Sequence, residues 1–152
     1  MGECRRIADQ LERSYRGPAW HGPSLRENLN GVTAAIAAAE SIPGAHSIWQ
    51  IVRHVAAWEA GVARVLDGKE YVSLQGEGDW PPVGSATWEA TLDELDGSHA
   101  ALRQALERFP DERLKDRVAD REFSFYGLLH GVVQHNIYHA GQIGLLRKAS
   151  AL

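Results

Sequence analysis

Two histidines set four residues apart, His135 and His139, stand in the segment Leu128-Leu129-His130-Gly131-Val132-Val133-Gln134-His135-Asn136-Ile137-Tyr138-His139-Ala140-Gly141-Gln142-Ile143. On a helix this spacing stacks the two rings on one face. At about 100° per residue, Leu128, Gly131, Val132, His139, Gln142 and Leu146 all fall within roughly 60° of His135, so the pair is expected on an inward apolar stripe. His130 lies about 140° away and is expected outside any site the pair forms. Imidazoles in an apolar interior need a hydrogen-bond partner or a metal, because an unsatisfied buried polar group costs free energy. A divalent ion satisfies both rings at once, and open zinc sites take three protein ligands. His54, in Ile51-Val52-Arg53-His54-Val55-Ala56-Ala57-Trp58, is the natural third, about 60° from the middle of its own helix's stripe. Spacing alone leaves open the alternative of core histidines bonded to backbone or water.

The chemistry of such a centre follows from its ligands. Three neutral imidazoles leave a divalent cation its full charge, which acidifies a bound water or thiol toward neutral pH. A thiol leads to transfer onto an epoxide, haloalkane or activated alkene; a water leads to hydrolysis. No carboxylate is expected beside the ligands as a general base. Thiolate chemistry needs such a base less, so the reading leans to thiol S-transfer, with a metal-dependent hydrolase or a non-catalytic metal-stabilised binding module as alternatives. Closed structural zinc sites use four protein ligands, and only three good candidates are present, which favours an open site. Imidazole suits zinc, nickel, cobalt and copper. There is no Glu-x-x-His of a di-iron bundle, no His-Glu-x-x-His of a metalloprotease and no Cys-x-x-Cys pair.

Other side chains are candidates for the pocket. Gln142, one turn beyond His139 on the ligand face, is placed either to orient a water or to bond a backbone carbonyl. Tyr138, about 60° off that face, is a pocket-edge phenol or a packing aromatic. His99 lies on the apolar stripe of its helix and reads as a core histidine or a group near the metal. Trp20 and His21 sit in the Gly/Pro-bounded loop 17–23, and Trp80 precedes Pro81-Pro82; each can wall a cavity or cover a core edge. Trp49, Trp58 and Trp88 read as core or dimer-interface residues. Cys4, beside a terminus expected to fray, is not expected to be a ligand.

The elements that must position these residues are helices. Ile7, Leu11 and Tyr15 recur at intervals of four over Glu3 to Arg16, and Gly17-Pro18 stops the helix. Ser24 and Glu27 form a capping-box pattern before a short helix Leu25 to Leu29. Another short helix is expected over about Thr33 to Glu40. A long helix from about Ser47 to Asp67 carries Ile51, Val55, Trp58, Val62 and Val65 inward. The Gly/Pro-rich stretch Gly68 to Ser85 is a loop of the length that often forms a lid or site wall. Trp88, Leu92, Leu95, His99, Leu102, Leu106 and Phe109 mark a helix from about Ala86 to Phe109, and the last runs from about Phe125 to Lys148. Four long amphipathic helices and no strand pattern give an all-α four-helix bundle with short extra helices, one domain over 1–152.

Composition excludes several classes. Of 152 residues, 44% are hydrophobic and 24% charged, ordinary for a globular chain. The net charge of −4 comes with no basic stripe, which argues against nucleic-acid binding. The charged residues of the first turns argue against a signal peptide, and no apolar run is long enough for a membrane span. A lone cysteine makes no internal disulfide, which suits a reducing cytoplasm.

Taken in order, Trp20-His21-Gly22-Pro23-Ser24-Leu25, Ser47-Ile48-Trp49 leading to His54-Val55-Ala56-Ala57-Trp58, and His135-x-x-Tyr138-His139-Ala140-Gly141-Gln142-Ile143 resemble the DinB/YfiT-like superfamily of metal-dependent enzymes. The resemblance covers nearly the whole chain and is most specific in the closing Tyr-His-Ala-Gly-Gln-Ile. It implies a bundle in up-down-down-up order, commonly a homodimer. It also implies a divalent metal, zinc or nickel, on His54, His135 and His139. Relatives of known activity include bacillithiol S-transferases and mycothiol-dependent isomerases, so a small-molecule substrate and a low-molecular-weight thiol are the expected partners.

Overall fold

Most helices begin where a hydroxyl side chain can accept the first free N–H groups. The computed structural model describes residues 2–150. Ser24 and Glu27 form a reciprocal capping box at α2 (Leu25–Leu29), and Ser47 and Gln50 form another at α4 (Ile48–Leu66). Thr33, Thr87 and Ser124 cap α3 (Ala34–Ala38), α5 (Trp88–Arg108) and α6 (Phe125–Ala149). The first helix, α1 (Glu3–Arg16), starts at Gly2, which has no side chain to cap it. Its cap comes from far along the chain: the Asp111 carboxylate accepts the N–H groups of Glu3 at 2.7 Å and Cys4 at 2.9 Å. That tether corrects the expectation of a frayed start. Cys4 is buried, and burial pushes its thiol up to about 12, so it is no reactive nucleophile.

Contacts between named residues fix the topology. Along α4 and α5, Trp49 donates to Thr91, Glu59 meets His99, and Asp67 accepts from Arg108, so the two helices run parallel. Tyr15 donates to Asp96, while Glu12 meets His99 further along α5, so α1 runs against α5. His54 faces His139 and Glu59 accepts from Asn136, so α6 runs against α4. The order is up-down-down-up, as the family resemblance implies. Parallel α4 and α5 require a connection that travels back along the bundle, roughly 28 Å for a helix of this length. Residues 67–87 make that return and carry a short 3-10 turn, Gly76–Gly78. A second such turn, Asp111–Lys115, precedes α6. Among the described residues there is no strand, and no helix is long and apolar enough to cross a membrane.

The core is two apolar clusters stacked along the bundle. One gathers Ile7, Leu11, Val62, Leu66, Leu102, Leu106, Phe109, Phe125 and Leu129. The other gathers Tyr15, Leu25, Val52, Val55, Trp88, Leu95, Ala140, Ile143 and Leu146. Between them, at the level where Glu12, Glu59, His99 and Asn136 face one another, the interior is polar. Glu59, His99 and Asn136 are fully buried there. This layer lies one residue along α6 from His135, at the height of the histidine cluster.

The buried face of α6 differs from expectation. Val132, His139 and Leu146 of the expected stripe are buried, together with Phe125, Leu129, Val133, Asn136, Ala140 and Ile143, whereas Leu128, Gly131 and His135 lie at the edge of that face and line a groove. Helix α6 packs against α1 and α2 as well as α4. Its apolar arc is therefore too wide for periodicity to separate core from cleft.

Candidate metal centre

His54 on α4 and His135 and His139 on α6 converge because the helices pass antiparallel at this height. The ligand nitrogens of all three lie within 4.8 Å of one another, and no other such group of three ligating side chains occurs among the described residues. His54 and His139 are buried and His135 is half-buried.

The ring tautomers show what the cluster suits. Nδ1 of His54 donates to the Asp79 carbonyl at 2.7 Å, which leaves Nε2 with a bare lone pair. Nδ1 of His139 donates to Gln142 Oε1 at 2.6 Å, and the Gln142 amide is oriented by donating its own N–H to the Tyr138 hydroxyl at 3.1 Å. His139 Nε2 is therefore also a lone pair. Both point at His135 Nε2, at 2.9 and 3.1 Å. One proton on that atom satisfies only one of them. The Nδ1 of His135 is buried and has no partner. A cation at the meeting point of the three Nε2 atoms removes the conflict, so these residues fit a divalent metal.

The outer groups complete the arrangement. Asp79 comes from the 67–87 return loop; its carboxylate Oδ1 accepts from the Trp58 indole at 2.8 Å and lies 3.2 Å from His54 Nδ1. Such partners fix the ring orientation of a ligating histidine and raise its basicity. Trp80 stacks on His54 at 4.0 Å and also on His46 at 3.6 Å, closing that side.

Burial keeps the rings neutral. It pushes His135 down to about 3, helped by the neighbouring rings, and His139 down to about 4 against the opposing Gln142 hydrogen bond. It lowers His54 as well, against the Asp79 contacts. In the unfolded chain these histidines titrate near 6.5, so the unfolded state binds more protons below that pH. The contribution of these rings to the stability of the metal-free protein is therefore fully present above about pH 6.5 and is lost as pH falls toward 4. Urea midpoints should fall between pH 7.5 and 5, and the fall should be shallower in a His135→Ala variant; parallel profiles would remove this linkage.

The pocket candidates separate. Gln142 and Tyr138 join the cluster, Gln142 through His139 and Tyr138 as a wall of the adjoining groove. His99 does not reach the groove; it belongs to the polar layer, where Tyr15 stacks on its ring at 3.6 Å. Trp20 and His21 lie in a separate groove with Gln10, Arg13, Val133 and Ile137, and Trp20 is fully exposed, so neither walls the histidine cluster. Trp49 and Trp88 are core residues in edge-on contact. Trp58, expected in the core or a dimer interface, is half-buried and lines the groove. Sequence reasoning missed Asp79, which carries no local signal, and Glu59 and Asn136, whose polar side chains fall in inward register on α4 and α6.

The chain is thus an up-down-down-up helical bundle in which three convergent imidazoles, a group that could hold a metal ion, stand beside a groove. The family model described as the DinB superfamily matches residues 19–143, and the chain belongs to that superfamily. No curated protein and no solved structure gives a match.

Proposed function

We propose that the chain is a metal-dependent enzyme, with zinc or nickel on His54, His135 and His139, that transfers a low-molecular-weight thiol onto a small electrophile. The observation that carries the reading is the lone-pair conflict at the three Nε2 atoms beside an open groove. When bound, the ion supplies Lewis-acid activation of a thiol or water at neutral pH. The chain's own residues set the stage for it. Asp79 and Gln142 lock the tautomers of His54 and His139, Trp80 shields His54 from solvent, and the groove places a reactant beside the histidines.

A second reading, hydrolysis, is favoured by Asp79. Asp79 lines the same groove as the histidines and is a carboxylate, the kind of group that serves as a general base in hydrolysis, which the sequence alone did not reveal. One assay separates the readings. Zinc-loaded protein is given 1-chloro-2,4-dinitrobenzene with a panel of small thiols, and separately p-nitrophenyl acetate. Turnover with a thiol, lost on chelation and restored by metal, supports transfer. Chelation-sensitive ester turnover without thiol dependence supports hydrolysis, and no turnover on either panel contradicts an enzyme of these two kinds.

A further inference from the structure

The groove beside the histidines says what kind of molecule reaches them. His54, Trp58 and Val62 recur every four residues along α4, so they line one face. On the antiparallel α6 the facing positions are His139, His135, Gly131 and Gly127, again four apart. Where two packed helices would interdigitate side chains, α6 presents glycine twice. Neither glycine has a positive φ, so neither is required by backbone conformation. Gly131, in the helix interior, weakens it as well. A Cβ built on Gly131 meets nothing within 4 Å, so what this glycine supplies is open volume.

The groove as a whole holds about 700 Å³, within the range of small-molecule sites. Beyond the histidines its walls are Trp58, Trp80, Phe123 and Tyr138, with Val62, Leu128 and Val132 between them. No lysine or arginine lines it, and its one charged group is Asp79. Away from the histidines, where any metal would sit, a ligand bearing a carboxylate or phosphate finds no lysine or arginine to pair with, and Asp79 presents it a like charge. An uncharged ring meets aromatic faces and aliphatic floor.

We propose that the groove takes an uncharged, flat, ring-bearing electrophile, and that Gly131 sets the room available to it. The inference rests on the groove being the substrate site of the reaction proposed above. It is tested by binding alone, on metal-free protein, so that its failure is distinct from failure of the metal chemistry. Calorimetric titration with 2-naphthamide and with 2-naphthoate at pH 7.5 compares matched neutral and anionic rings. The amide is expected to bind at least about tenfold more tightly. Gly131→Leu, which installs a better helix former and so keeps the fold, is expected to weaken amide binding at least about tenfold while zinc affinity stays unchanged. Equal or tighter binding of the naphthoate, no binding of either, or amide binding indifferent to Gly131→Leu would overturn the proposal. Zinc binding that fails while amide binding persists would strike the metal reading only.

Discussion

Competition titration of a His135→Ala variant should show zinc affinity lower by on the order of 10²–10³-fold than the wild-type chain. Zinc bound by small protein sites is worth roughly 10–16 kcal/mol, so one of four ligands accounts for about 3–4 kcal/mol, and about 1.4 kcal/mol is a factor of ten. His135 is the informative ring. Its Nε2 is the atom on which His54 and His139 both converge, and its Nδ1 has no other partner to justify burial. Removing it leaves two lone pairs with no shared focus. His130→Ala is the control, since that ring packs on Tyr126 and stands outside the cluster. Gln142→Leu should fall between the two, costing about 10–100-fold through loss of the group that orients His139. Equal affinities in wild type and His135→Ala would place any bound metal elsewhere.

The second large effect lies in the polar layer. Glu59 is fully buried, and its Oε1 accepts from His99 Nδ1 at 3.1 Å and from Asn136 at 2.7 Å. His99 Nε2 faces Glu12 Oε2 at 3.1 Å, which also accepts from Arg103 at 3.1 Å. Burial pushes the Glu12 carboxyl up, but the His99 and Arg103 contacts outweigh it and hold it below the usual carboxylate range. Both nitrogens of His99 thus face carboxylates, and the ring bridges Glu12 and Glu59. Glu59→Ala removes the inner partner and strands His99 and Asn136 in an interior between two apolar clusters. The expected loss is about 3–5 kcal/mol, read from urea unfolding at pH 7. His99→Ala should be similarly costly, and the double variant should cost much less than the sum of the two. A loss under about 1 kcal/mol for Glu59→Ala would show the layer to be solvated rather than closed.

Much of this was legible because helices announce themselves locally. Ser24 with Glu27, and Ser47 before its apolar stripe, mark helix starts that the structure places at the same residues. The four-residue spacing of His135 and His139 puts both rings on one face whatever the tertiary setting. What sequence hid is set by packing at a distance. Asp111 caps α1 from more than a hundred residues away, and Asp79 reaches His54 only because α4 and α5 run parallel and their connection must return along the bundle. Periodicity marked the histidine face of α6 as apolar, yet an apolar cleft and an apolar core have the same period. Glu59 and Asn136 broke the inward pattern of their helices, and that break was the available sign of the polar layer.

The central claim is a single metal held by three imidazoles and open on one side. X-ray absorption at the zinc edge, on tag-free protein reconstituted with zinc and freed of excess, tests it most directly. The account predicts about one zinc per chain with a first shell of about three imidazole nitrogens and one further light atom. No zinc retained after reconstitution, or a shell that contains fewer than two imidazoles, would contradict it.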